Sequence, residues 1–195
     1  MEPLSVAIWA CRKGRVGPGT GVLVSGAGPI GQLAAQVARA LGATELTVTD
    51  VNSHRLAVAA EGGATRTIDV SRLPLAKAGV EADVLLECSG HPDAVSDGLG
   101  ALRPAGRAVI VGMGPAEEMA IPMTVVQNRE IWLTGTFRYA NTYPAAIALA
   151  ADRRVNLQAI ITGHYTLEET EAALRAGREN PASIKPLVVP GATGE

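Results

Sequence analysis

Val22-Leu-Val-Ser-Gly26-Ala-Gly28-Pro-Ile-Gly31 leads directly into Gln32-Leu-Ala-Ala-Gln-Val-Ala-Arg-Ala-Leu41 and then Gly42. A short apolar run ends in three glycines spaced GxGxxG. A helical stretch follows, with proline in its first turn and glycine just past its end. Each glycine has a physical reading: Gly26 allows a tight turn, Gly28 lets the backbone approach a pyrophosphate, and Gly31 lets the helix lie close on the strand. The helix start, at Pro29 and Ile30, offers unpaired N–H groups and a partial positive charge to phosphates. Taken alone, the same pattern also fits a tight strand-to-helix turn that binds nothing.

The second strand-like run, Leu46-Thr-Val-Thr-Asp50, ends in an acid 19 residues after Gly31. A carboxylate there can accept both ribose hydroxyls of an adenosine and repels a 2′-phosphate, which selects NAD over NADP. Arg55 has three readings: a partner for a 2′-phosphate, a plane across the adenine face, or a helix residue turned to solvent. Asp50 favours the second. Two further turns, Glu87-Cys88-Ser89-Gly90 and Val111-Gly112-Met113-Gly114, follow strand-like runs and consist mostly of small residues. They permit a nicotinamide ribose to approach, although each is also an ordinary turn.

Working outward, the runs Val22 to Ser25, Leu46 to Thr49, Val84 to Glu87, Ala108 to Gly112 and Ile131 to Gly135 do not alternate in polarity. That is the mark of strands buried on both faces. Helical segments, including Asn52 to Glu61 before Gly62 and Gly63, separate them. The fold class is therefore α/β, a doubly wound parallel Rossmann sheet with helices on both faces. An additional helix over 2–13 precedes it. A strand-helix-strand segment follows, from Ile160-Ile161 through Leu167 to Gly177 and then Ile184 to Val189. The implied organisation is 1–16, a helix leading in from another domain; 17–154, the nucleotide-binding domain; and 155–195, a return segment.

The composition agrees. The chain has 195 residues, of which 47% are hydrophobic and 18% charged, with a net charge of −2, so it is neither disordered nor basic enough for nucleic acid. One Phe, two Trp and three Tyr against 22 Gly leave an aliphatic core. Cys11 and Cys88 lie far apart and make neither a disulfide framework nor a zinc site. His54, His91 and His164 are scattered and form no ligand motif. No apolar run reaches the roughly 20 residues of a membrane span, and the N-terminus lacks a basic leader; both point to a cytoplasmic protein.

Several stretches together resemble a known family: Glu2-Pro-Leu-Ser-Val6, Ala10-Cys11-Arg12, Gly26-Ala-Gly-Pro-Ile-Gly31, Thr49-Asp50 with Arg55, Glu87-Cys-Ser-Gly90, and Phe137-Arg138-Tyr139-Ala-Asn141-Thr142-Tyr143-Pro144. They are similar to the medium-chain zinc-dependent alcohol dehydrogenases, and the last run to the sorbitol and xylitol branch. The resemblance implies NAD and zinc as cofactors and a secondary hydroxyl of a small polyol as substrate. It adds Ile30, Val111 to Met113, Thr136, Phe137 and Arg138 to the cofactor contacts. Arg138 and Tyr139 match the pair that touches the polyol. Glu2 matches the acid that approaches the catalytic zinc; on its own it also reads as an acid at a helix start.

Family members carry their Cys, His and Glu zinc ligands in a β-rich domain that precedes the region matched here. The resemblance therefore implies a nucleotide-binding half that binds cofactor but oxidises sorbitol or xylitol negligibly by itself. It also implies a homo-oligomer joined at the edge strand Ile131 to Gly135, and fastest hydrogen exchange in the tail and in helix 2–13. Three other readings compete. A zinc-independent quinone-reductase-like protein is opposed by Asp50 and Glu2, a methyltransferase leaves residues 137–144 unexplained, and a non-enzymatic NAD-sensing module fits the scattered metal-binding residue types.

Overall fold

The structure, a computed structural model, describes residues 1–114 and 118–191. Helix α1 (Glu2–Gly14) places Leu4, Ala7, Ile8 and Cys11 on one face and buries them. It ends at Arg15, whose left-handed backbone (φ 56°) turns the chain toward the first strand. From there strands and helices alternate: β1 (Gly21–Ser25), α2 (Pro29–Ala40), β2 (Glu45–Asp50), α3 (Ser53–Glu61), β3 (Arg66–Asp69), β4 (Ala82–Glu87), α4 (Pro92–Gly100), β5 (Leu102–Ile110), α5 (Met123–Asn128), β6 (Trp132–Gly135) and α6 (Tyr143–Ala151), except that only a short 3-10 turn (Leu75–Lys77) separates β3 from β4.

The six strands form one parallel sheet in the order β3-β2-β1-β4-β5-β6. This is the expected doubly wound arrangement, and its order reverses between β1 and β4, where the strand ends leave a crevice. The central strands explain why their sequences do not alternate. Val22 and Val24 of β1 and Val84 and Leu86 of β4 enter one core with α1 and α2. Leu23 and Leu85 enter a second core with α4, around Leu99 and Leu102. Both faces are apolar because both are covered.

The helix over 2–13 is not a loose appendage. Eight of its thirteen residues are buried, and five of these, Leu4, Ala7, Ile8, Ala10 and Cys11, lie in the same core as β1 and β4, a burial that favours slow rather than fast exchange. The sequence reading found only the second half of β5. Its first half contains Pro104 and Gly106, with Ala105 at φ 59°, and the pairing with β4 shifts register there. The sheet accommodates these residues as an irregularity.

The C-terminal segment forms the expected strand-helix-strand: β7 (Ile161–Tyr165), α7 (Thr170–Glu179) and β8 (Lys185–Val188), with β7 and β8 paired parallel in a sheet of their own. The helix starts later than Leu167, because a Glu169 carboxylate oxygen accepts from the Thr166 N–H (2.8 Å) and holds residues 166–169 as a turn. The segment leading into this unit is tied to α2: Asn156 N–H donates to Gln36 Oε1 (2.6 Å), and Gln36 Nε2 donates to the Asn156 carbonyl (3.3 Å). Among the described residues, no helix is long and apolar enough to cross a membrane.

Candidate functional site

Every turn singled out in the sequence lies at the C-terminal end of a parallel strand. At Gly31 an added Cβ would sit 1.8 Å from the Gly26 carbonyl oxygen, so close seating of α2 on the turn requires glycine. Gly28 is different. Its backbone (φ −68°, ψ −174°) suits any residue, and an added Cβ would meet nothing within 4 Å. The chain's own structure does not demand glycine at this point, where the first turn of α2 lies open and no side chain caps it.

Asp50 is half-buried and locked across this turn. One carboxylate oxygen accepts from Ala27 N–H (2.6 Å); the other accepts from Val51 N–H (2.8 Å) and Asn52 N–H (2.9 Å). A carboxylate offers about four acceptor directions, so one remains for a ribose hydroxyl even with all three bonds kept. Beside it opens a cleft of about 390 Å3, within the range of roughly 300–1,000 Å3 usual for ligand sites. Its walls are apolar at Val51, Val70 and Leu75 and polar at Asp50, Ser89 and His91. The sequence reading missed the contributions of Val70 and Leu75, because β3 has four residues with only Ile68 buried and gives almost no hydrophobic signal. His91 caps α4 through Nδ1, which accepts from Asp93 N–H (3.3 Å). Arg55 does not line the cleft: its guanidinium donates to the Ser183 carbonyl (3.3 Å), and its Nε is buried without a partner.

The next two turns are built on Glu87, a fully buried carboxylate at the end of β4 that sequence reasoning passed over as part of a small-residue turn. It accepts from the N–H groups of Ser89 (2.9 Å) and Gly90 (3.1 Å) and from the Ser89 hydroxyl, which folds the turn around it. The Glu87 carbonyl accepts from Val111 and Gly112 N–H (2.8 and 2.9 Å). The two turns therefore touch backbone to backbone, and a Cβ at Gly112 would lie 2.2 Å from Gly90 N. Met113 projects outward, 82% exposed. Burial raises the Cys88 thiol pKa well above its ordinary value, with the Glu87 charge adding to the effect. Burial also pushes Cys11 up to about 12. Both are protonated at neutral pH.

The turn after β6 carries the residues that the resemblance assigns to substrate. Thr136 N–H donates to the Ile110 carbonyl (2.9 Å), and its hydroxyl donates to the Arg138 carbonyl (3.0 Å). The Arg138 guanidinium lies over the exposed Phe137 ring, 5.2 Å from its centre. The Tyr139 and Tyr143 rings lie tilted at 5.5 Å. Desolvation raises the Tyr139 pKa, followed by its hydrogen bond with Tyr143 and the Glu2 charge. Glu2, Arg138 and Tyr139 thus share one corner, reached because α1 docks on this turn: Lys13 Nζ donates to the Gly135 carbonyl (2.6 Å) and Thr142 Oγ1 to the Ser5 carbonyl (3.0 Å). Among the described residues no three His, Cys, Asp or Glu, Glu2 included, converge as a set of metal ligands.

Known proteins resemble this chain in sequence and in fold. Sorbitol dehydrogenase of Rattus norvegicus is 38% identical over 187 residues, which cover 92% of this chain and 52% of that protein. L-idonate 5-dehydrogenase of Escherichia coli superposes with a TM-score of 0.86 at 32% identity, over 96% of this chain and 55% of the other. A Sinorhizobium meliloti 1021 protein whose crystal structure holds NADP superposes with a TM-score of 0.89 at 27% identity, over 97% and 58%. The chain spans about half the length of the relatives it matches. The family model of zinc-binding dehydrogenases matches residues 29–152, and the chain belongs to that family.

Proposed function

We propose that this chain is the NAD-binding part of a zinc-dependent dehydrogenase that oxidises a secondary hydroxyl of a small polyol. The observation that carries the reading is the Asp50 carboxylate, held by three N–H bonds beside the Gly-rich turn and the cleft. Pyrophosphate oxygens take the bare first turn of α2 at Gly28, with Pro29 and Ile30 behind it. Asp50 accepts an adenosine ribose hydroxyl in its remaining acceptor direction and repels a 2′-phosphate. The turns at Cys88 to Gly90, Val111 to Met113 and Thr136 to Arg138 receive the nicotinamide half, across the point where the strand order reverses. When bound, NAD supplies the hydride acceptor.

At the substrate corner Arg138 offers a fixed fork of donors to hydroxyl oxygens, and Tyr139, kept protonated, adds a single donor. Glu2 contributes negative charge beside Tyr139. The described residues do not by themselves form a ligand set that fits zinc. One specific observation favours a second reading, an NAD-binding module without chemistry of its own, namely the lack of any converging metal ligands among the described residues. Polyol-dependent NADH formation by the complete gene product separates the two. Self-association through β6 is part of the proposal: among the described residues β6 pairs only with β5, and Trp132 on it is 62% exposed.

Equilibrium titration with NAD and NADP tests the nucleotide assignment. NAD is expected to bind more tightly, and Asp50→Ala to weaken NAD by about ten-fold, or about 1.4 kcal/mol, while changing NADP far less. Equal losses for both nucleotides would remove the ribose argument.

A further inference from the structure

Asn52 touches three parts of the molecule at once. Its N–H donates to the Asp50 carboxylate (2.9 Å). Its side-chain oxygen accepts from Arg55 N–H (3.1 Å) and caps α3. Its Nδ2 donates to the Pro181 carbonyl (2.8 Å), 129 residues along the chain. In the first turn of α3, the Arg55 guanidinium donates to the Ser183 carbonyl (3.3 Å). Ser183 is buried, and the next two N–H groups, of Ile184 and Lys185, both donate to Thr162 Oγ1 of β7 (2.8 and 3.2 Å). Residues 181–185 are therefore bonded on one side to the turn that carries Asp50 and on the other to the C-terminal sheet.

We infer that Asn52, seconded by Arg55, is a positioning residue that clasps the β7–α7–β8 unit to the Asp50 turn, so that NAD affinity and docking of this unit are coupled. The inference rests on the nucleotide reading above. A ligand that fixes the Asp50 carboxylate also fixes the Asn52 N–H bonded to it, and with it the side chain that reaches Pro181. A docked unit in turn holds the Asp50 turn in its binding shape before the ligand arrives. The two effects are equal in size, because coupling between binding events is reciprocal. One neutral hydrogen bond sets the scale at about five-fold in an equilibrium constant.

The test uses the full 195-residue chain. Hydrogen exchange over residues 181–188 is measured with and without saturating NAD, alongside NAD affinity, for the unchanged protein and for Asn52→Ser. Serine keeps a hydroxyl acceptor to cap α3 but is too short to reach Pro181. NAD is expected to slow exchange over 181–188 by about five-fold in the unchanged protein. Asn52→Ser is expected to remove most of that slowing and to weaken NAD by a similar factor. A purely structural bond would speed exchange there equally with and without NAD and leave the affinity alone, which would overturn the coupling. NAD binding with no change over 181–188 would overturn it too. Failure of the unchanged protein to bind NAD would instead overturn the nucleotide reading, and this inference with it. Should Asn52→Ser not fold, exchange in the unchanged protein decides.

Discussion

At Gly31 a methyl group would press into the Gly26 carbonyl oxygen, whereas at Gly28 it would meet no protein atom within 4 Å. The two glycines stand three residues apart and answer to different demands, which makes them separable by experiment. Gly31→Ala is expected to cost about 3 kcal/mol or more, because backbone rather than a flexible side chain must move. Gly28→Ala is expected to change stability by less than about 0.5 kcal/mol while weakening NAD by about ten-fold or more. Urea denaturation and nucleotide titration of both variants check this, and a Gly28→Ala protein that binds NAD normally would mean that no ligand approaches there. GxGxxG spacing assigned these roles from the sequence alone, because each rests on backbone sterics. Arg55 was not legible in the same way. An Arg five residues past an acid at a strand end suits several partners, and only the tertiary arrangement brings the Ser183 carbonyl to it.

At the scale of elements, α1 shows how a helix outside the βα repeat becomes part of the core. Its buried face includes Cys11, whose thiol donates to the Ala34 carbonyl of α2 (3.7 Å). Burial holds this thiol protonated up to about pH 12, against an ordinary value of 9.0. Between those limits the folded state binds a proton that the unfolded state has lost. Stability is therefore expected to fall as pH rises above 9, by about 1 kcal/mol per pH unit for this group. Cys11→Ala should flatten the alkaline loss relative to the unchanged protein in denaturant midpoints taken at pH 8 and pH 10. An identical decline in both would show that the thiol ionises freely in the fold. The apolar spacing of α1 was readable as a helix, but its partner was not, since the sequence does not state which surface an amphipathic face will cover. β3 and the first half of β5 went unseen for a related reason. Both are held in place by neighbouring strands more than by their own hydrophobic pattern.

For the molecule as a whole, the six-stranded sheet with α1 and α2 forms the protected body, and the β7–α7–β8 unit joins it through Ile160 and Ile184, which enter its core, and through polar ties. All four residues of β8 are only partly buried, and α7 buries only Ala173 and Ala176. Native-state hydrogen exchange is expected to be slowest in β1, β4 and α1 and markedly faster in β7, α7 and β8. Equal protection across both parts would mean that the C-terminal unit belongs to the main cooperative body. What the sequence determined by itself was the α/β class, the Gly-rich turn and its acid, and the order of the turns that line the strand ends. Those follow from local sterics and from hydrophobic patterns with a range of a few residues. What only the tertiary structure decided was the absorption of α1 into the core, the buried Glu87 that shapes two turns, and the meeting of the Asp50 turn with residues 181–183. These depend on pairs of groups as much as 137 residues apart, whose encounter is set by how the whole chain closes rather than by any stretch within it.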